Sequence, residues 1–168
     1  MRNVTIVAYD EQWPVLFEAE SSLLQVTLGK VISRIHHIGS TSVPGLAAKP
    51  VIDILLEVTG LNELDSLNAE MECAEYTVRG ENGISNRRYF TKGGDQRSHQ
   101  VHAFAVGDMQ IVKHLAFRDY LIKSKNAAGQ YAKIKYAAAL ASKNDTYRYS
   151  ALKADFIENH LRLALIEP

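Results

Sequence analysis

The sequence predicts an α/β (α+β) protein: a mixed twisted sheet with helices on one side, followed by a C-terminal helical bundle. Three observations predict it. Apolar, β-branched runs at Val31–Ile38 and Val51–Val58 have the length and composition of strands. From Tyr76 to Ala105 short strand-like segments alternate with glycine turns, the pattern of an antiparallel ribbon. From Gln110 onward the apolar residues fall at helical spacing. A break near Gly107 divides the chain into a sheet subdomain, residues 1–107, and a helical subdomain, residues 108–168.

Taken in order, Asp10 caps a helix whose apolar positions Trp13, Leu16, Phe17, Leu23, Leu24 and Leu28 fall at three- and four-residue spacing, with Pro14 tolerated in its first turn. Gly29 ends it. The strand Val31–Ile38 runs into a Gly39-Ser40 turn. Val51–Val58 is then almost continuously apolar, as in a strand covered on both faces. Leu61, Leu64, Leu67 and Met71 mark a further helix, and Cys73 reads as core filling at its end. Tyr76–Arg79, Arg87–Lys92 and His99–Ala105 are the three short strands. Helices follow at Gln110–Lys123, Ala127–Ser142 and Tyr147–Ile166, the last capped by Asn144 or Asp145.

The totals exclude several functions. Lys plus Arg and Asp plus Glu are 19 each, so no overall field draws the chain to nucleic acid or an acidic membrane. An anion site must therefore be local. One cysteine in 168 residues permits no internal disulfide and no multi-cysteine zinc site. No segment reads as a signal peptide or a membrane span, so the expected location is cytoplasmic.

One residue breaks the pattern. Asp53 stands in the middle of the apolar strand Val51–Val58, where an unpaired charge costs several kcal/mol. Either a nearby Arg or cap satisfies it, or it holds a cation. The Gly39-Ser40-Thr41-Ser42 turn precedes it, and its amides and hydroxyls suit a phosphate. The two features meet only if the flanking strands are neighbours. A Gly-Ser turn followed by a strand carrying Asp is the arrangement of the nucleotidyltransferase superfamily, in which the turn holds a triphosphate and strand carboxylates hold Mg²⁺.

The run His37-Ile38-Gly39-Ser40-Thr41-Ser42-Val43-Pro44-Gly45-Leu46-Ala47-Ala48-Lys49-Pro50-Val51-Ile52-Asp53-Ile54 resembles the signature of the GrpB-like family. Further agreement spans almost the whole chain: Asp10 with Trp13-Pro14, Arg88-Tyr89-Phe90, Arg97-Ser98-His99, His114 to Leu121, Tyr131 with Lys135, and Tyr149 with Lys153. The resemblance implies a sheet of nucleotidyltransferase type and a predicted nucleotidyltransferase activity. A related domain is fused to some dephospho-coenzyme A kinases. Two positions depart from the pattern. The place of a second strand acid holds Leu55, and Glu57 cannot replace it, because four residues of strand set its Cα about 13 Å from that of Asp53. Where the family tends to show His-x-His, this chain has Gln100 before His102.

The expectation is thus a cleft between sheet and bundle. Gly39, Ser40, Thr41 and Ser42, with Lys49, Tyr149 and Lys153, would bind a nucleoside triphosphate. Asp53 and His102 would hold Mg²⁺ or Mn²⁺, an imidazole favouring the softer ion or serving as proton acceptor. Arg88 would grip phosphate with two parallel hydrogen bonds. The reaction would move a nucleotidyl group to a hydroxyl of a small acceptor. Each of these residues also has a plain structural use: a strand His is commonly a hydrogen-bonded core residue, and a surface Arg commonly only solvates. Two rivals therefore stand beside the transferase, a non-catalytic nucleotide- or coenzyme-binding module and a His102-assisted phosphohydrolase.

Overall fold

A computed structural model describes residues 2–166. Met1, Glu167 and Pro168, at the ends of the two expected subdomains, lie outside the described residues. Strands β1 (Ile32–Ile38), β2 (Ile52–Val58), β3 (Thr77–Val78), β4 (Arg88–Lys92) and β5 (His99–Ala105) form one sheet in the order β1-β2-β5-β4-β3. β2 and β5 run parallel, whereas β1 with β2, β4 with β5 and β3 with β4 are antiparallel. The sheet is therefore mixed. β1 and β2 are neighbours, and their register sets Ile38 opposite Asp53.

β2 is apolar apart from Asp53 and Glu57 because both its faces are covered. Ile52, Ile54, Leu56 and Val58 enter the main core with Trp13, Phe17, Leu24, Leu64 and Met71. Those partners come from α1 (Gln12–Leu28), α2 (Leu61–Asp65) and α3 (Asn68–Cys73). On the other face Leu55 joins Ile38, Phe104 and Ile111 in a smaller cluster. Asp53 shares that second face. Asp10 Oδ1 accepts the Gln12 amide at 2.8 Å, as its place before the helix implied, and Gly29 closes α1 at φ 56°.

Two local expectations need correction. The helix marked by Leu61 to Met71 is two short helices, because the Ser66 hydroxyl turns back to the Glu63 carbonyl at 2.6 Å and stops the first. Cys73 is exposed rather than core filling. Met71 takes the inward position, and a residue two further along falls on the far side of the helix.

The helical half comprises α4 (Met109–Lys123), α5 (Lys125–Ser142) and α6 (Thr146–Ile166). Asp108 caps α4 through the Gln110 amide at 2.8 Å, and Ser124 caps α5 through the Ala127 amide at 3.2 Å. Asp145 accepts the Tyr147 and Arg148 amides and so caps α6. Asn144 instead accepts the Val4 amide at 3.0 Å, fastening the N-terminal segment to the α5–α6 turn. Val4 and Ile6 pack there with Ala138 and Tyr149. Val43 and Leu46, from the link between β1 and β2, pack with Leu121, Tyr131 and Phe156. Bundle and sheet thus meet across the same loop that carries the Gly-Ser turn. No helix among the described residues is long and apolar enough to cross a membrane.

Candidate functional site

The cleft lies where that loop, the edge β3–β4–β5 and the bundle converge, with a volume of about 430 Å³. Its described lining holds Arg2, Lys49, Arg79, Arg97, Lys135 and Lys153 against one carboxylate, Asp53. A single acid among six cations makes an anion-attracting concavity in a chain of no net charge.

Asp53 is placed by both ends of its surroundings. A Cβ on Gly39 would stand 2.6 Å from Asp53 Oδ2, so the turn closes over the carboxylate only because residue 39 has no side chain. Gly39 also sits at φ 72°. Ser40 to Ser42 then form a single 3₁₀ turn, and the Ser42 hydroxyl donates back to the Gly39 carbonyl. Ser42 therefore builds the turn rather than facing the cleft. Ser40 and Thr41 do line it. Tyr131 stands beside Ser40. The His37 ring lies 2.9 Å from the Thr41 hydroxyl and stacks on Phe17; burial holds His37 down to about 4, so it is neutral at pH 7.

On the next strand, His102 Nε2 is 3.2 Å from Asp53 Oδ1 and Arg87 Nη1 is 3.4 Å from His102 Nδ1. The tautomer that satisfies both donates from Nε2 to Asp53 and presents a lone pair at Nδ1 to the guanidinium. Both ring nitrogens are then engaged. His102 orients the carboxylate from behind and is not in the cleft lining. Turned to satisfy both its ends, the Gln100 amide donates to Asp53 Oδ1 at 3.0 Å and accepts from Arg97 Nη1 at 3.1 Å and the Tyr89 hydroxyl at 3.3 Å.

Arg88 is not brought to the site. Its guanidinium grips Asp65 of α2 instead, Nε to Oδ1 at 2.7 Å and Nη2 to Oδ2 at 3.1 Å. Successive strand residues face opposite ways, so Tyr89 reaches the cleft while Arg88 and Phe90 face the helices. The bidentate grip foreseen for phosphate is spent on a carboxylate. His36, similarly, faces Glu57, its Nε2 2.5 Å from Oε2.

On the bundle side, Tyr149 has Lys49 Nζ 4.8 Å and Lys153 Nζ 4.3 Å from its ring centre, and Lys135 Nζ is 4.6 Å from that of Tyr131. Lys135 also donates to the Ala47 carbonyl. Burial, reinforced by Lys153 and Lys49, pushes Lys135 down to about 7; burial and Lys49 push Lys153 down to about 8, against the pull of Asp53. Burial and Arg2 likewise lower Lys49. Of the residues singled out from the sequence, Asp53, Ser40, Thr41, Lys49, Tyr149 and Lys153 line one cleft. Arg2 and Arg79 were missed. Nothing local marks them, because only the β3–β4 pairing and the folding back of the N-terminus carry them to the cleft.

For a divalent cation the chain supplies one strand carboxylate, and no group of three or more His, Cys, Asp or Glu among the described residues can hold a metal. That donor set fits an ion that brings most of its ligands with it, as Mg²⁺ does on substrate phosphates with one or two protein carboxylates.

Fold and site together define a class: an α/β protein whose mixed sheet presents one carboxylate to a cationic cleft under a three-helix bundle. The chain belongs to the GrpB family, residues 3–163 matching the description GrpB protein. The UPF0157 protein YqkA of Bacillus subtilis is 42% identical over 157 residues, covering 94% of this chain and 46% of that protein. The chain thus spans about half the length of that relative. The crystal structure of conserved protein GrpB from Enterococcus faecalis has a TM-score of 0.93 at 38% identity, covering 97% of this chain and 98% of that one. A dephospho-CoA kinase of Mycolicibacterium paratuberculosis is 25% identical, covering 96% of this chain and 46% of its own length. The Cid1 poly(U) polymerase, solved with MgGTP bound, gives a TM-score of 0.46 at 16% identity over 80% of this chain and 50% of that one.

Proposed function

We propose that the cleft binds a nucleoside triphosphate and transfers its nucleotidyl group to a hydroxyl of a small acceptor. The observation that carries this reading is the lone Asp53 carboxylate beneath the Gly39 turn, set among six cations. The triphosphate lies over Ser40 and Thr41, with Lys49 and Lys153 on its outer oxygens. Lys135, near half-protonation at pH 7, gains its proton as the polyanion arrives. Asp53 would hold a divalent ion, Mg²⁺ or Mn²⁺, whose charge would stabilise the transferring group. The acceptor oxygen bonds to the α-phosphorus as the bond to the leaving pyrophosphate breaks. The hydroxyl proton leaves to solvent, since both nitrogens of His102 are engaged. Positioning and charge neutralisation account for most of the catalysis such a transfer needs.

A second reading, a nucleotide- or coenzyme-binding module without catalysis, is favoured by Leu55: it is fully buried with Ile38 and Phe104, so the strand offers no second acid. The His102-assisted phosphohydrolase loses support from the same two contacts that engage its ring. The experiment is thermal shift with each nucleoside triphosphate, with and without Mg²⁺ or Mn²⁺, on the native chain and on Asp53→Ala, paired with an assay for pyrophosphate release. Metal-dependent stabilisation lost in Asp53→Ala, with pyrophosphate released, supports the transferase. Metal-independent stabilisation that survives Asp53→Ala supports the binding module, and no response to any nucleotide sinks both.

A further inference from the structure

The cations of the cleft come from two parts of the fold, and Lys49 is near enough to Arg97 to be lowered by it beyond the effect of burial. Lys49 and Lys153 flank Tyr149 on the bundle side. Arg79 and Arg97 belong to the sheet edge: Arg79 follows β3, its Nε held by Thr91 Oγ1 at 3.1 Å, and Arg97 precedes β5. Gln100 links Asp53 to the arginines, donating to Asp53 by its amide N–H and accepting from Arg97 by its oxygen. Arg97 Nε is buried with no hydrogen-bond partner among the described residues. Its guanidinium faces Arg2 and Arg79, which depress it further beyond the effect of burial. Guanidiniums gathered in a concavity repel one another, and an oxyanion relieves that repulsion while accepting their forked N–H groups.

From this placement we infer a second oxyanion subsite, formed by Arg79 and Arg97, that takes the phosphate or carboxylate group of the acceptor. The inference rests on the transferase reading for its role. In-line displacement brings the acceptor to the α-phosphorus from the side opposite the leaving pyrophosphate. With pyrophosphate held by Lys49 and Lys153, an acceptor whose anionic group is held by Arg79 and Arg97 would approach across Gln100 and Asp53. Its hydroxyl then meets Asp53 while its anionic tail rests on Arg97. The acceptor is accordingly an anionic small molecule, a hydroxylated phosphomonoester or carboxylic acid, rather than a neutral alcohol or sugar.

The test is calorimetric titration of the full chain. Tripolyphosphate probes the lysine side; inorganic phosphate and malonate are then titrated separately into protein saturated with tripolyphosphate. The expected result is a further binding event for one or both, phosphate alone indicating a phosphomonoester tail and malonate alone a carboxylate. Arg97→Gln should weaken that event at least about tenfold and tripolyphosphate less than about threefold, and Lys153→Gln should do the reverse. Arg79→Gln, checked by circular dichroism, serves if Arg97→Gln does not fold. No further event, or equal losses at both sites in Arg97→Gln, overturns the subsite and leaves the nucleotide reading standing. Failure of tripolyphosphate with Arg97-dependent phosphate binding intact overturns the nucleotide reading and keeps the subsite.

Discussion

Gly39 is where the turn and the carboxylate touch. Its φ of 72° and the 2.6 Å from a built Cβ to Asp53 Oδ2 both require glycine. Gly39→Ala should therefore cost at least about 1 kcal/mol of stability and push the Asp53 side chain aside. Chemical denaturation reads the first effect, and loss of Mg²⁺-dependent nucleotide stabilisation reads the second. Arg88 makes the contrasting case. Its pair with Asp65 is half-exposed, so Arg88→Ala should cost only about 0.5–1 kcal/mol and leave the nucleotide response unchanged. A large loss of nucleotide binding in that variant would return Arg88 to the site.

At the scale of elements, β2 explains why the chain carries one strand acid. Asp53 lies at the cleft end, beside the Gly-Ser turn, whereas Leu55 is two residues deeper, with no exposed surface. A carboxylate at 55 would be sealed among Ile38, Phe104 and Ile111, beside a His102 ring already engaged by Asp53 and Arg87. Leu55→Asp should consequently destabilise the fold by about 3–5 kcal/mol instead of creating a second metal ligand. Urea denaturation decides it; a stable variant with tighter Mn²⁺ binding would show that the cluster can open. The strand run Val31–Ile38, the β5 limits and the caps Asp10 and Asp145 were legible locally, because β-branching and capping act over a few residues. The break within Leu61 to Met71 and the outward Cys73 were not. Both depend on which side chain finds room in the core.

Over the whole molecule, buried lysines tie stability and binding to pH. Lys135 is about 7 in the fold against an ordinary value of 10.5, so the unfolded chain binds the more protons between those limits. Stability should rise as pH climbs from about 7 toward 10.5, by as much as ~1.4 kcal/mol per unit for this one group, and Lys135→Met should flatten that slope. Thermal melts across the range provide the measurement. Polyanion binding reverses the preference, so tripolyphosphate should be accompanied by proton uptake near pH 7.5 and should bind more weakly above pH 8. Calorimetry in buffers of different ionisation enthalpy detects that uptake, and its absence would mean that Lys135 stays neutral beneath the ligand. On the acid side, burial lowers His37 and His114 to about 4 from 6.5. Their contribution is complete above about 6.5 and is lost as pH falls toward 4.

By itself the sequence determined most of the elements, the turn, the isolated acid and the family, since each is written in neighbouring residues or in one continuous run. It also singled out Lys49, Tyr149 and Lys153, which line the cleft and share short motifs or a helix face. The tertiary structure alone decided which cations face Asp53. Strand pairing turned Arg88 away and Tyr89 inward, the β4–β5 connection delivered Arg97, and the packing of Val4 and Ile6 against the bundle brought Arg2 to the cleft. Side chains distant in sequence share a site only through register and packing, and no local pattern encodes either.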